Sequence, residues 1–173
     1  LDEQAKKRLE EDFGRSLEDA AKDLNVSRAE EGARLIDVLT RIVDEIAGKI
    51  EEAYDCAAMQ PERFQLRLKE QLEKLLSDVS HFDEARLAQE VALLATKADV
   101  TEELDRLTGH VEAARGLLSS KDAIGRAFDF LGQEFFREAN TLCSKSADAQ
   151  LTQIGLDMKA LIEQIREQVK NLE

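Results

Sequence analysis

Tryptophan is absent from the 173 residues, proline occurs once, at Pro61, and only 5% of the chain is aromatic. With eight glycines as the only other breakers, little interrupts helical backbone. There is no alternating β-branched run, no hairpin dipeptide and no glycine-rich phosphate loop, which argues against a sheet-based fold and a P-loop nucleotide site. The two cysteines, Cys56 and Cys143, are isolated. Without CxxC spacing they support neither a disulfide framework nor a zinc site, and they read as buried free thiols in a reducing cytoplasm. Cys143 has no base near it in sequence and is a poor nucleophile candidate. No apolar run approaches the roughly 20 residues that span a bilayer. The first 30 residues are charged and amphipathic, unlike a secretory signal. Leu1 in place of Met reads as a piece of a longer protein.

What remains is 43% apolar and 35% charged, rich in Leu, Ala, Glu, Lys and Arg, the composition of an all-α protein. Helical periodicity runs almost throughout. Leu9, Phe13, Leu17, Ala20 and Leu24 form one stripe, predicting a first helix over 2–24 that Asn25 breaks. Ser27 and Glu30 are spaced as a capping box for a second helix to Ala58, with Leu35, Leu39, Ile42, Ile46, Ile50, Ala53 and Ala57 inward. A third helix from Pro61 reaches Leu76. A connection over 77–85 holds His81, and a short helix ends near Lys97. Asp99 and Glu102 are spaced to cap a fifth helix carrying Leu104, Leu107, Val111, Ala114 and Leu118. The stretch 119–122 would cap a sixth. Leu151, Ile154, Met158, Leu161, Ile165 and Leu172 repeat at heptad-like steps in a last helix. The expected architecture is an extended long-helix arm over 1–80, followed by a compact helical bundle over 83–173.

The formal net charge is −13, which opposes generic nucleic-acid binding. The acidity is uneven. Residues 1–60 hold 9 basic and 16 acidic groups, whereas 121–173 hold 7 and 9.

That least acidic part contains GRAFDFLGQEFFREANTLCSKS, residues 125–146. On a helical wheel Phe128, Leu131, Phe135, Ala139 and Leu142 fall within about 80°. Opposite them stand Arg126, Asp129, Gln133, Arg137, Asn140 and Ser144, with Phe130 beside the row. Two readings are open: a solvated face with intrahelical pairs, or a row of donors suited to phosphate, for which arginine offers a bidentate fork. A second cluster lies on the fifth helix, where Glu103, Arg106 and His110 share a face. Carboxylates with histidine can bind Mg²⁺ or Mn²⁺. A partly buried, structurally paired His110 is the other reading.

The segments EGARL (31–35), RLAQEVALLATKADVTEELDRLTGH (86–110), the 125–146 stretch and IREQVKNLE (165–173) together resemble the C-terminal region of the YicC-like proteins. These bacterial proteins are described as metal-dependent endoribonucleases. The resemblance covers most of 27–173 and is densest over 86–146. It departs at Ala127, where the family commonly has a basic residue. It implies an N-terminal, mainly β domain ahead of this part, a homo-oligomer, RNA as partner and a divalent cation, Mn²⁺ or Mg²⁺, as cofactor. On that basis Glu103, His110, Glu134 and Glu138 are the candidate catalytic residues, Glu103 and His110 the candidate metal ligands. Arg106, Arg126, Gln133, Arg137, Asn140 and Lys145 are the candidate RNA contacts. The competing expectation is a helical oligomerisation or assembly module without its own chemistry, fitted by the heptad-like last helix and the long charged arm.

Overall fold

The computed structural model describes residues 2–58 (Ala5 and Ala58 by their backbone alone), 89, 92–93, 96–120, 122–146 and 148–170. The described residues contain helices and no strand. Among the described residues, four helices carry the structure: α1 (Glu3–Ala58), α2 (Thr101–Leu118), α3 (Gly125–Lys145) and α4 (Ala149–Val169). The expected third helix at 61–76 and the connection with His81 lie outside the described residues.

α1 is 56 residues long, about 84 Å at 1.5 Å per residue. The expected break at Asn25 and the capping box at Ser27–Glu30 do not occur, because the helix runs straight through both. Asparagine in a helix interior costs only a fraction of a kcal/mol, and no proline enforces a stop. Glu30 reaches forward to Arg34 (3.7 Å) rather than back to cap. Arg15 with Asp12 and Lys49 with Glu52 (2.8 Å) add pairs at helical spacing.

The two halves of α1 differ. Leu39, Ile42, Val43, Ile46, Ile50, Ala53 and Cys56 are buried. Leu9, Phe13, Leu17 and Leu24 are exposed. The second half of α1 packs on α2 and α4, and α3 packs on α2 and α4. These contacts close a four-helix bundle, with neighbours in the order α1, α2, α3, α4 around it. The connections after α2 and α3 are short, as suits antiparallel neighbours. One core threads all four helices, with Phe128, Phe135, Leu104, Leu107, Met158 and Ile162 fully enclosed. The compact unit thus includes residues 39–56 of α1, and the expected boundary at 80–83 falls outside the described residues.

The helix ends depart from expectation. α2 begins after Val100. Asp99 accepts from the Thr101 amide (2.9 Å) and hydroxyl (2.6 Å), while Glu102 turns to Arg106 (2.6 Å) and closes no capping box. α3 starts after Ile124 without a side-chain cap, so the 119–122 stretch does not cap it. α4 is capped by Asp148, whose carboxylate accepts from the Gln150 and Leu151 amides (2.8 and 3.2 Å). In α4, Ile162 is fully buried while Leu161 only packs against the core.

Gly155 lets α3 and α4 approach closely. A Cβ there would stand 2.5 Å from Cys143 Sγ and 2.9 Å from Leu142 Cδ2. Gly155→Ala is therefore expected to destabilise by about 1–3 kcal/mol through overpacking, despite alanine's higher helix propensity. Urea denaturation checks the sign: a stabilised variant would show that the helices separate at little cost.

Candidate metal centre

α2 and α3 face each other, and their facing sides carry acids. Glu134 and Glu138 sit one turn apart on α3, so both carboxylates point along one flank. His110 approaches from α2. One ligand atom of each of the three lies within 4.8 Å of the others. Glu138 is buried, whereas His110 and Glu134 are half-buried. The His110 ring meets Phe135 edge-on, with centroids 5.5 Å apart at 66°, so the core fixes its tilt. Its Nε2 is buried without a hydrogen-bond partner. A buried polar nitrogen left unpaired costs free energy, and a cation is one group that would satisfy it.

Arg106 braces this group. It gives Nη1 to Glu138 Oε1 (3.4 Å) and Nη2 to Glu102 (2.6 Å). Those two acids, Glu102 first, push its pKa above the ordinary arginine value. Two turns beyond Glu138 on α3, Lys145 reaches Glu103 (2.8 Å). That hydrogen bond is the main cause of the upward shift of the Lys145 amine. Glu103 is buried and its second oxygen has no partner. Glu103 and His110 stand seven residues apart on one helix, about 10 Å of rise. The structure thus places Glu103 with Lys145, while the partners beside His110 are Glu134 and Glu138.

Asp99 lies at the start of α2. Its two bonds from Thr101 lower its pKa, with a smaller contribution from Lys145. A depressed folded-state value means stability present above the unfolded pKa and lost as pH falls through the folded one. Asp99→Asn should therefore be less stable than wild type at neutral pH, with the gap closing below about pH 3.8. Thermal melts across pH 2–7 check this, and a gap independent of pH would contradict it.

The polar row of α3 is exposed in full: Arg126, Asp129, Gln133, Arg137, Asn140 and Ser144. Gln133 donates to Asp129 (3.1 Å). Among the described residues Arg126 and Arg137 make no ion pair. Phe130 beside them is 63% exposed, while the opposite stripe from Phe128 to Leu142 is buried as expected.

The donor set fits a hard divalent cation. Two carboxylates and an imidazole are ligands that Mg²⁺ or Mn²⁺ accepts, and two negative charges match one dication. Sequence reasoning named all three residues but joined His110 to Glu103, because wheel position on a single helix carries no information about the facing helix. The pairs Arg106–Glu138 and Lys145–Glu103 were missed for the same reason. For Asp148, an aspartate just before an apolar periodic run was an available capping signal.

The bundle and its acid–histidine group define a helical domain of the kind that carries a site between facing helices. Comparison with known proteins is more specific. Residues 53–173 match the family described as Endoribonuclease YicC-like, C-terminal, and the chain belongs to that family. It is 38% identical over 161 residues to the "Probable endoribonuclease YicC" of Clostridioides difficile (strain 630), covering 93% of this chain and 55% of that protein. It is 36% identical over 165 residues to the protein of the same description from Haemophilus influenzae, covering 95% of this chain and 56% of that relative. The chain thus spans little more than half the length of these curated relatives. Among the described residues, no helix is long and apolar enough to cross a membrane.

Proposed function

We propose that this chain is the C-terminal part of a metal-dependent endoribonuclease acting in the cytoplasm, and that its site is built on the flank between α2 and α3. The observation that carries the reading is the convergence of His110, Glu134 and Glu138, with the His110 nitrogen buried and unpartnered. Those three residues would hold Mn²⁺ or Mg²⁺. A bound dication would neutralise phosphate charge and lower the pKa of a water.

The protein's own groups supply the rest. Hydrolysis breaks one P–O ester bond, delivering hydroxide to phosphorus and a proton to the departing ribose oxygen. Glu134, more open than Glu138, would take on its second carboxylate oxygen the proton that the water loses. Arg126 and Arg137, with no acidic partner among the described residues, would grip flanking phosphates. Gln133 and Asn140 offer bonds to 2′-hydroxyls, the group that marks RNA. Arg106 and Lys145 are engaged by Glu138 and Glu103, so their role is to position those acids.

The test is cleavage of a structured RNA by the full-length protein with Mn²⁺ or Mg²⁺. Glu134→Ala and Arg137→Ala are each expected to cut the rate at least tenfold. Wild-type cleavage in both would overturn the site. A second reading, assembly, is favoured by the exposed stripe of Leu9, Phe13, Leu17 and Leu24, an apolar face of the kind that packs against another helix. Sedimentation of the protein with Phe13→Glu measures that contribution separately from catalysis.

A further inference from the structure

We propose that Phe130 is a base-stacking platform that holds one unpaired base of the RNA beside the site. This deepens the endoribonuclease reading and rests on it. Phe130 is 63% exposed although it belongs to a helix whose other face is fully packed. Exposure alone is not distinctive, since Phe13 on α1 is 70% exposed. Phe13, however, sits in line with Leu9 and Leu17, an apolar setting. The neighbours of Phe130 at helical spacing are Arg126, Ala127, Gln133 and Glu134, with Arg137 two turns on.

Three features on this face converge on one chemistry. The aromatic ring offers an open π-face, which any base can cover. Arg126 and Arg137 lack acidic partners among the described residues, on a chain carrying 37 acids. They stand eleven residues apart, about 16 Å along the axis, and flank the ring. Glu134, one turn of about 5.4 Å from Phe130, belongs to the His110–Glu134–Glu138 group. A base lying on Phe130 would thus bring its adjoining phosphodiester toward the carboxylates, with arginines on the backbone to either side. The interior bases of a duplex cannot use this arrangement, because they are stacked on each other and their faces are closed. A second copy of the chain could instead cover Phe130 with an acidic or apolar surface, and the experiment separates that case.

The full-length protein, without added metal and with EDTA, is titrated with a single-stranded oligoribonucleotide containing 2-aminopurine and with a blunt duplex of the same sequence. Phe130→Ala should weaken single-strand binding roughly 5- to 100-fold and abolish the stacking quench. Phe130→Trp should keep both, and duplex binding should be unchanged in either variant. Single-strand binding by Phe130→Ala equal to wild type overturns the proposal. So does an altered sedimentation coefficient accompanied by equal losses of single-strand and duplex binding, which would make Phe130 a contact between copies. Cleavage with Mn²⁺ is measured in parallel. Wild-type binding without any cleavage defeats the nuclease reading alone, whereas cleavage that persists with normal single-strand affinity in Phe130→Ala defeats the stacking proposal alone.

Discussion

Glu138→Gln in the full-length protein should lower Mn²⁺-dependent RNA cleavage by about two to four orders of magnitude while leaving the fold intact. The substitution keeps the shape of a side chain that is only 4% exposed. The amide oxygen can still accept from Arg106, which now lies 3.4 Å from the carboxylate. What disappears is one negative charge from a three-residue group, and with it one hard anionic ligand for the proposed cation. Apparent Mn²⁺ affinity should fall along with the rate. Arg106 loses one of the two acids that raise its pKa but keeps Glu102, so it stays charged. Thermal denaturation beside the kinetics separates the two effects. A variant that melts like wild type and cleaves like wild type would remove Glu138 from the site. One that unfolds would show that its charge serves the Arg106 brace before any chemistry.

Phe135→Ala should destabilise the protein by about 3–5 kcal/mol, the range for emptying an enclosed aromatic site. For a chain of this length that is roughly 6–20 °C in Tm. Phe135 is fully buried in the core that joins α3 to its neighbours. It also has a second role: its ring edge supports His110. Losing it frees the imidazole to turn, so Mn²⁺ affinity should drop even at temperatures where the variant is folded. Phe135→Leu keeps most of the volume and should cost far less stability while still losing the ring contact. A Phe135→Ala variant within 1 kcal/mol of wild type would mean the bundle collapses around the gap.

The buried faces of the helices were legible in the sequence because burial follows a period that a wheel displays. Leu104, Leu107, Val111, Phe128, Phe135 and Met158 all lie inside. Helix ends were less so. Asn25, Ser27 and Glu30 carry capping chemistry, yet a helix with no proline overrides it, since capping competes with continued hydrogen bonding and loses by small margins. The site was half legible. The wheel put His110 on a face with Glu103 and Arg106, whereas Glu134 and Glu138 became candidates only through the family resemblance. Which face meets which is a tertiary fact, however. Glu103 turned to Lys145 and His110 turned to α3 because α2 packs on α3 along one particular line, and no spacing within either helix encodes that line.

The most direct test of the account is Mn²⁺ binding to the full-length protein, followed by electron paramagnetic resonance of the free ion. A Mn²⁺ site is expected in wild type that survives in Glu103→Gln and is lost in His110→Ala and in Glu138→Gln. Equal stoichiometry and affinity in wild type, His110→Ala and Glu138→Gln would contradict it.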